Sequence, residues 1–302
     1  MNIIVFHQPF PQGNYKLNTF IAQHLKNKNH TVYLLEQLNG QPCTDEFVEM
    51  IQSVNPDVLY FEMLDAETFK AVEKINCKKV LVYASRGILP NFESITEYYK
   101  KWYTHIYTNS HDLYSLFKSK NIPSYHFEYY FSCLDKSECV FNVHYQHDCV
   151  FLGMGFARLN DPHYQDEKKL FFGGVPNIDF AIYGNGWPNL PHYKGLLPPN
   201  DIGKLYSSAK SAIGIIGSGQ RKNGMINNRY TEMMFCGIPI FSLKYPTINW
   251  YGGEKYINFI NSTTDISNLL NTPDIKEKAS QSVYFIKEKH ESFLNTLNEI
   301  LK

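Results

Sequence analysis

The chain has 302 residues, and its 29 basic and 29 acidic side chains give zero formal net charge. A hydrophobic share of 43% with only 19% charged residues excludes a disordered chain. The neutral balance excludes a general nucleic-acid binder, which needs an excess of cations to displace phosphate counterions. At roughly 150 residues per domain the length points to two domains. The start, Met1 to Phe10, has no cationic leader and no long apolar run, so it is read as a buried strand and not as a signal peptide. No segment approaches the ~18 apolar residues of a membrane span, and the expectation is a cytoplasmic protein.

The first half alternates two kinds of pattern. Short apolar runs at Ile3–Phe6, Thr31–Leu35, Asp57–Phe61, Lys79–Tyr83 and His105–Thr108 predict strands. Between them, apolar residues at helical spacing predict helices over Tyr15–Asn27, Thr44–Val54, Asp65 to about Ile75, and Ser110 to about Lys120. Asp65 and Ser110 are the expected caps. Strands alternating with amphipathic helices predict a parallel sheet covered on both faces.

The second half restarts this order. Strands are predicted at Cys149–Leu152, Phe180–Tyr183, Ser211–Ile216 and Ile238–Phe241. Helices are predicted over 166–172, from Pro199, over Asn228–Cys236, over Asp265–Leu270 and over Ile275–Leu301. The fold class is therefore α/β, with two Rossmann-like domains facing each other across a cleft. The expected division is 1–146 and 147–285, with 286–302 a C-terminal helix returning to the first domain.

The six cysteines form no Cys-x-x-Cys pair, so most are read as isolated buried thiols without zinc. His144, His147, Asp148 and Cys149 form a superficially metal-like cluster beside a predicted strand, and no metal is assigned to it. The run Tyr98 to Tyr103 mixes aromatics and lysines. It suits a helix face packed on the sheet, and it also suits peripheral membrane contact or a sugar acceptor.

Glycines end two strands of the second half, at Gly153-Met154-Gly155 and Gly184-Asn185-Gly186, where backbone N–H groups can approach a phosphate. Arg158 follows the first of these, Gly195-Leu196-Leu197 follows the second, and Asn227 to Pro239 comes later. This order resembles the C-terminal half of group-1-type glycosyltransferases of the GT-B architecture. Arg229, Glu232, Gly237 and Pro239 carry the family's Arg-x-x-Glu-x-x-x-x-Gly-x-Pro pattern. The resemblance covers about residues 147–245.

It implies a glycosyltransferase that moves a sugar from a nucleotide-diphosphate donor, UDP- or GDP-linked, to a hydroxyl acceptor in glycan biosynthesis. The acceptor is a glycan, a lipid-linked or a small molecule. Glu232 would hold the ribose diol, Arg158 and the helix start at Asn227 and Asn228 the diphosphate, and Gly195 and Leu196 the base. Arg229 lies on the same helix face as Glu232. Gly153 and Gly184 complete the expected donor set.

Many retaining members carry a second glutamate eight residues before the ribose-binding one, where this chain has Gly224. The loop 217–224 offers Arg221 and Lys222 instead, which suit phosphate or plain solvation. In the first half, His7 is the first candidate for the base that deprotonates the acceptor, with Glu62 or Asp65 as alternatives. Arg86 is a candidate for binding an anionic acceptor. No obligatory metal or cofactor is expected, because cations and a helix terminus can meet the charge of the leaving diphosphate. The alternatives are a sugar-nucleotide epimerase on the same scaffold and a non-catalytic sugar-nucleotide-binding protein.

Overall fold

The computed structural model describes residues 1–7, 15–38, 40–61, 66–82, 97, 99–108, 110–126, 134, 136–155, 167–168, 173–217, 221, 226–245, 248 and 253–302. The chain divides into two compact units, Met1–Phe127 with Phe293–Lys302, and Glu128–Ser292.

In the first unit, β1 (Asn2–His7), β2 (Thr31–Glu36), β3 (Val58–Phe61), β4 (Lys78–Leu81), β5 (His105–Thr108) and β6 (Ser124–His126) form one sheet. Its order is β2-β1-β3-β4-β5-β6, and every pairing is parallel. The helices α1 (Tyr15–Asn27), α2 (Asp45–Val54), α3 (Ala66–Val72) and α4 (His111–Ser119) alternate with the strands. Thr44 caps α2 by accepting from Phe47 N, and Asn55 ends it in a left-handed conformation. Ser110 caps α4 by accepting from Leu113 N.

All four residues of β3 are buried, as a strand covered on both faces requires. Phe6 stacks on Phe61 with ring centroids 5.0 Å apart, and Tyr99 meets Phe117 edge-on. Tyr99 and Tyr103 lie in this core while Lys100 and Lys101 are exposed, so that part of the aromatic–lysine run is a packed helix face.

In the second unit, β7 (Cys149–Leu152), β8 (Phe180–Tyr183), β9 (Ala212–Gly214), β10 (Ile240–Ser242) and β11 (Ile257–Phe259) form a parallel sheet of order β11-β10-β9-β7-β8. Its helices are α5 (Ile202–Ser208), α6 (Asn228–Cys236), α7 (Gly253–Tyr256), α8 (Thr263–Leu269) and α9 (Pro273–Ile300). Gly237, left-handed at φ 69°, ends α6. The last turns of α9 are fixed within the first unit: Tyr107 donates to Thr296 O at 2.8 Å, and Lys78 Nζ donates to Ile300 O at 2.6 Å.

Strands β6 and β11 have no counterpart in the sequence reading. Both sit at a sheet edge and are three residues long, too short for the apolar run that marks a central strand. The predicted helix over 166–172 lies largely outside the described residues. Among the described residues, no helix is long and apolar enough to cross a membrane.

Candidate donor and acceptor sites

In open parallel sheets, ligands bind beyond the carboxyl ends of the strands where the strand order reverses. The first sheet reverses between β1 and β3, and the second between β7 and β9. His7, the last residue of β1, therefore stands at the reversal point of its sheet, half-buried, with its carbonyl accepting from Gln37 N at 2.8 Å. Glu62, Asp65 and Arg86 lie outside the described residues.

Beside the reversal point of the second sheet, beyond the carboxyl ends of β7 and β8, the two glycine turns grip each other. Gly153 N donates to Tyr183 O, Gly155 N to Asn185 O and Gly184 N to Gly195 O, at 2.8 to 3.0 Å. Trp187 Nε1 donates to Gly153 O at 2.8 Å. Gly184 has φ +133°, and a Cβ on it would lie 2.0 Å from Gly153 O. Glycine is required here by backbone packing, a reason separate from the expected approach to phosphate. Leu196, expected to touch the base, is 70% exposed, and Met154 is 60% exposed. Each is the residue after a partner of Gly184, so two apolar side chains flank this turn in solvent.

Helix α6 is anchored on the sheet through Tyr230. Its ring crosses Gly214 of β9 so closely that a Cβ there would meet the ring at 2.5 Å. Its hydroxyl is 2.7 Å from Ser242 Oγ of β10. This contact fixes the start of α6 at the carboxyl end of β9. Asn227 precedes the helix without capping it; its Nδ2 donates to Ile215 O at 2.5 Å. Asn227 Oδ1 is buried without a partner among the described residues. Asn228 opens the helix, and its carbonyl accepts from Thr231 Oγ1. One turn on, Arg229 Nη1 donates to Glu232 Oε2 at 2.7 Å. Glu232 is only 7% exposed, so its carboxylate is nearly removed from water. Tyr206 of α5 lies close to this pair, and burial holds its phenol well above the usual range.

Arg221, read from sequence as a possible phosphate cation, is committed elsewhere. It pairs with the buried Glu167, donates through Nε to Ile216 O at 2.8 Å, and lies over the Tyr245 ring, 4.0 Å from its centroid. Tyr245 also donates to Glu167 Oε1 at 2.7 Å. Burial, with Glu167 as hydrogen-bond partner, raises the Tyr245 phenol. This clamp joins the segments that follow β9 and β10. Sequence reasoning missed Glu167 and Tyr245, because nothing local marks two residues 78 positions apart as partners. Arg158, Lys222 and Gly224 lie outside the described residues.

His147 of the metal-like cluster spans a hydrogen-bonded chain. Its Nδ1 is 2.8 Å from Asp179 Oδ2 and its Nε2 is 3.0 Å from the Tyr183 hydroxyl. Asp148 pairs instead with Lys210 at 2.7 Å, and that hydrogen bond holds its carboxyl below the usual range. Among the described residues no three His, Cys, Asp or Glu side chains gather as a metal-binding group.

Residues 167–291 match a family described as glycosyl transferase-like. None of the curated proteins matches the chain in sequence. Among solved structures, HepE of Anabaena in complex with UDP-glucose superposes with TM-score 0.65 at 12% identity, over 99% of this chain and 98% of that one. The DNA-modifying enzyme β-glucosyltransferase, studied with and without uridine diphosphoglucose, gives TM-score 0.62 at 13% identity over 98% of each chain. Sucrose-phosphate synthase from Thermosynechococcus elongatus gives 0.64 at 9% identity, over 99% and 98%.

The two parallel sheets give the chain the GT-B fold class of these structures, and the glycosyl transferase-like match lies in its second half. Within that class, Glu232, Arg229 and the start of α6 all fall inside the matched residues.

Proposed function

We propose that this chain transfers a sugar from a nucleoside diphosphate, uridine diphosphate in the first instance, to a hydroxyl acceptor. The observation that carries the reading is Glu232, a carboxylate 7% exposed on the helix that starts at the carboxyl end of β9. A nearly buried acid with one cationic partner still has acceptor capacity for the two hydroxyls of a ribose. The N–H groups at the start of α6, with Arg158, would stabilise the departing diphosphate without requiring a divalent cation. Asn227 Oδ1 supplies an acceptor for a hydroxyl of the donor. Leu196, beside the Gly184 turn, gives the base an apolar contact. HepE and β-glucosyltransferase, whose structures were determined with UDP-glucose and uridine diphosphoglucose, motivate testing uridine first.

In the acceptor half, His7 takes the proton of the attacking hydroxyl as the C–O bond to the donor sugar forms. Glu62 is the second candidate for that base. A thermal-shift series with uridine, guanosine, adenosine, cytidine and thymidine diphosphates tests the donor site. One diphosphate should raise the melting temperature, and Glu232→Ala should abolish the rise. No shift with any of the five would sink the assignment. His7→Ala should keep donor binding and lose transfer. If it instead left transfer intact, the base would lie elsewhere.

A further inference from the structure

Cys139 and Cys236 are 97 residues apart in sequence, yet their Sγ atoms lie 3.5 Å apart. Both are half-buried, and neither forms a disulfide. Cys236 is the last residue of α6, and Cys139 follows a single 3-10 turn, Lys136–Glu138. Helix α5 holds the two segments together. At Gly203 a Cβ would meet Glu138 O at 2.6 Å and Cys139 N at 3.2 Å, so the 3-10 turn lies directly on the helix backbone. Cys236 Sγ lies 3.9 Å from the carbonyl of that same Gly203. The thiols therefore meet because three packed segments converge on one glycine. A covalent S–S bond is about 2.05 Å long, so the sulfurs need to approach by about 1.5 Å, within reach of side-chain rotation.

We propose that Cys139 and Cys236 are a redox modification site, closing to a disulfide when the protein meets a peroxide. The thiolate of Cys139 attacks one peroxide oxygen. An S–O bond forms, the O–O bond breaks, and the departing hydroxide leaves as water after taking one proton, equal to the one the thiol gave up to become a thiolate. The sulfur of Cys236 then attacks the Cys139 sulfur. The S–S bond forms, the S–O bond breaks, and the Cys236 proton leaves with the hydroxyl as a second water. Two thiols lose two electrons in all, and one peroxide becomes two waters.

The order of attack follows from the surroundings. Its hydrogen bond with Cys139 and its burial both raise the Cys236 thiol strongly. The carboxyl end of a helix also disfavours a thiolate. Cys139 is thus the attacking sulfur and Cys236 the resolving one. The link would tie the end of α6, one turn beyond Glu232, to the segment leading into β7. Pairing of this kind in a reducing compartment is transient and redox-sensing, not structural.

Peptide mass spectrometry of the full chain after hydrogen peroxide treatment tests this. The expected product joins the Cys139 and Cys236 peptides, is lighter than the two thiols by two hydrogens, and reverts with dithiothreitol. In Cys236→Ser, dimedone should trap a sulfenic acid on Cys139. A link from Cys139 to Cys133, or over-oxidation of Cys139 without a link, would overturn the proposal. So would oxidation of Cys43 under conditions that leave the pair reduced.

Discussion

Arg229 donates to Glu232 across one turn of α6 at 2.7 Å, and the two exposures differ: the guanidinium side chain is 32% exposed and the carboxylate side chain 10%. The arginine acts as the solvent-facing cover of an acid that is nearly out of water. If Glu232 binds the ribose, Glu232→Ala should weaken uridine diphosphate binding by at least about tenfold, since charge-assisted hydrogen bonds contribute about 1.5–3 kcal/mol. Arg229→Ala should weaken it less, because the acid remains and loses only its orientation. Isothermal titration calorimetry measures both, and equal affinity in Glu232→Ala and the parent would refute the ribose role.

The Glu167–Arg221–Tyr245 clamp gives a stability prediction independent of any ligand. The Glu167 side chain is 2% exposed and answers both a cation and a phenol. Removing it leaves a partly buried guanidinium without its counter-charge, which costs about 3–5 kcal/mol. Glu167→Ala should lower the urea midpoint accordingly, whereas Glu167→Leu combined with Arg221→Met should lose much less. A surface-like loss below about 1 kcal/mol in Glu167→Ala would show that the pair is not buried in solution.

The two glycines of the β8 turn separate backbone conformation from space. Gly184 has φ +133° and no room for a Cβ, while Gly195 has φ +94° and open space around it. Gly195→Ala should cost only the backbone strain, about 1–3 kcal/mol. Gly184→Ala should cost more, because the methyl would also push Gly153 away and loosen the Trp187 hydrogen bond. Melting temperatures of the two variants give the comparison. A smaller loss in Gly184→Ala would contradict the interlocked turns.

The central strands and the main helices could be read directly from the chain because their signals are local. The buried runs at β1, β3, β7 and β8 and the helix from Asn228 to the Gly237 stop match the sequence pattern closely. So does the capping of α4 by Ser110, whereas Thr44, read as the first helical residue, caps α2 from outside it, and α3 starts at Ala66 and ends at Val72, short of the expected Ile75. Strands β6 and β11 were not legible, since three residues are too few to carry a periodicity. Partnerships that close only in three dimensions were also hidden. Arg221 looked available for phosphate until Glu167 and Tyr245 were found around it, and Cys139 looked isolated until α5 brought Cys236 beside it. Tyr183, at the end of β8, is likewise buried and within hydrogen-bond distance of His147, 36 positions away.

Alkaline pH should expose one more consequence of burial. Cys149 is wholly enclosed at the start of β7, and burial pushes its thiol from 9.0 up to about 12. Burial, followed by its hydrogen bond to Asp201, pushes the Tyr145 phenol from 10.0 up to about 12. In both cases the folded state keeps a proton that the unfolded chain gives up. The associated stability is therefore complete below pH 9 and is lost as pH rises toward 12. Each such group adds at most about 1.4 kcal/mol of loss per pH unit in its window. Urea unfolding between pH 8 and 12 should show stability declining with pH for the parent. Cys149→Ala should begin at lower stability, because a small cavity replaces the sulfur, but should decline less steeply above pH 9. Parallel curves for the two proteins would mean that Cys149 ionises in the folded state as readily as in the unfolded one, which is incompatible with its enclosure between the strands.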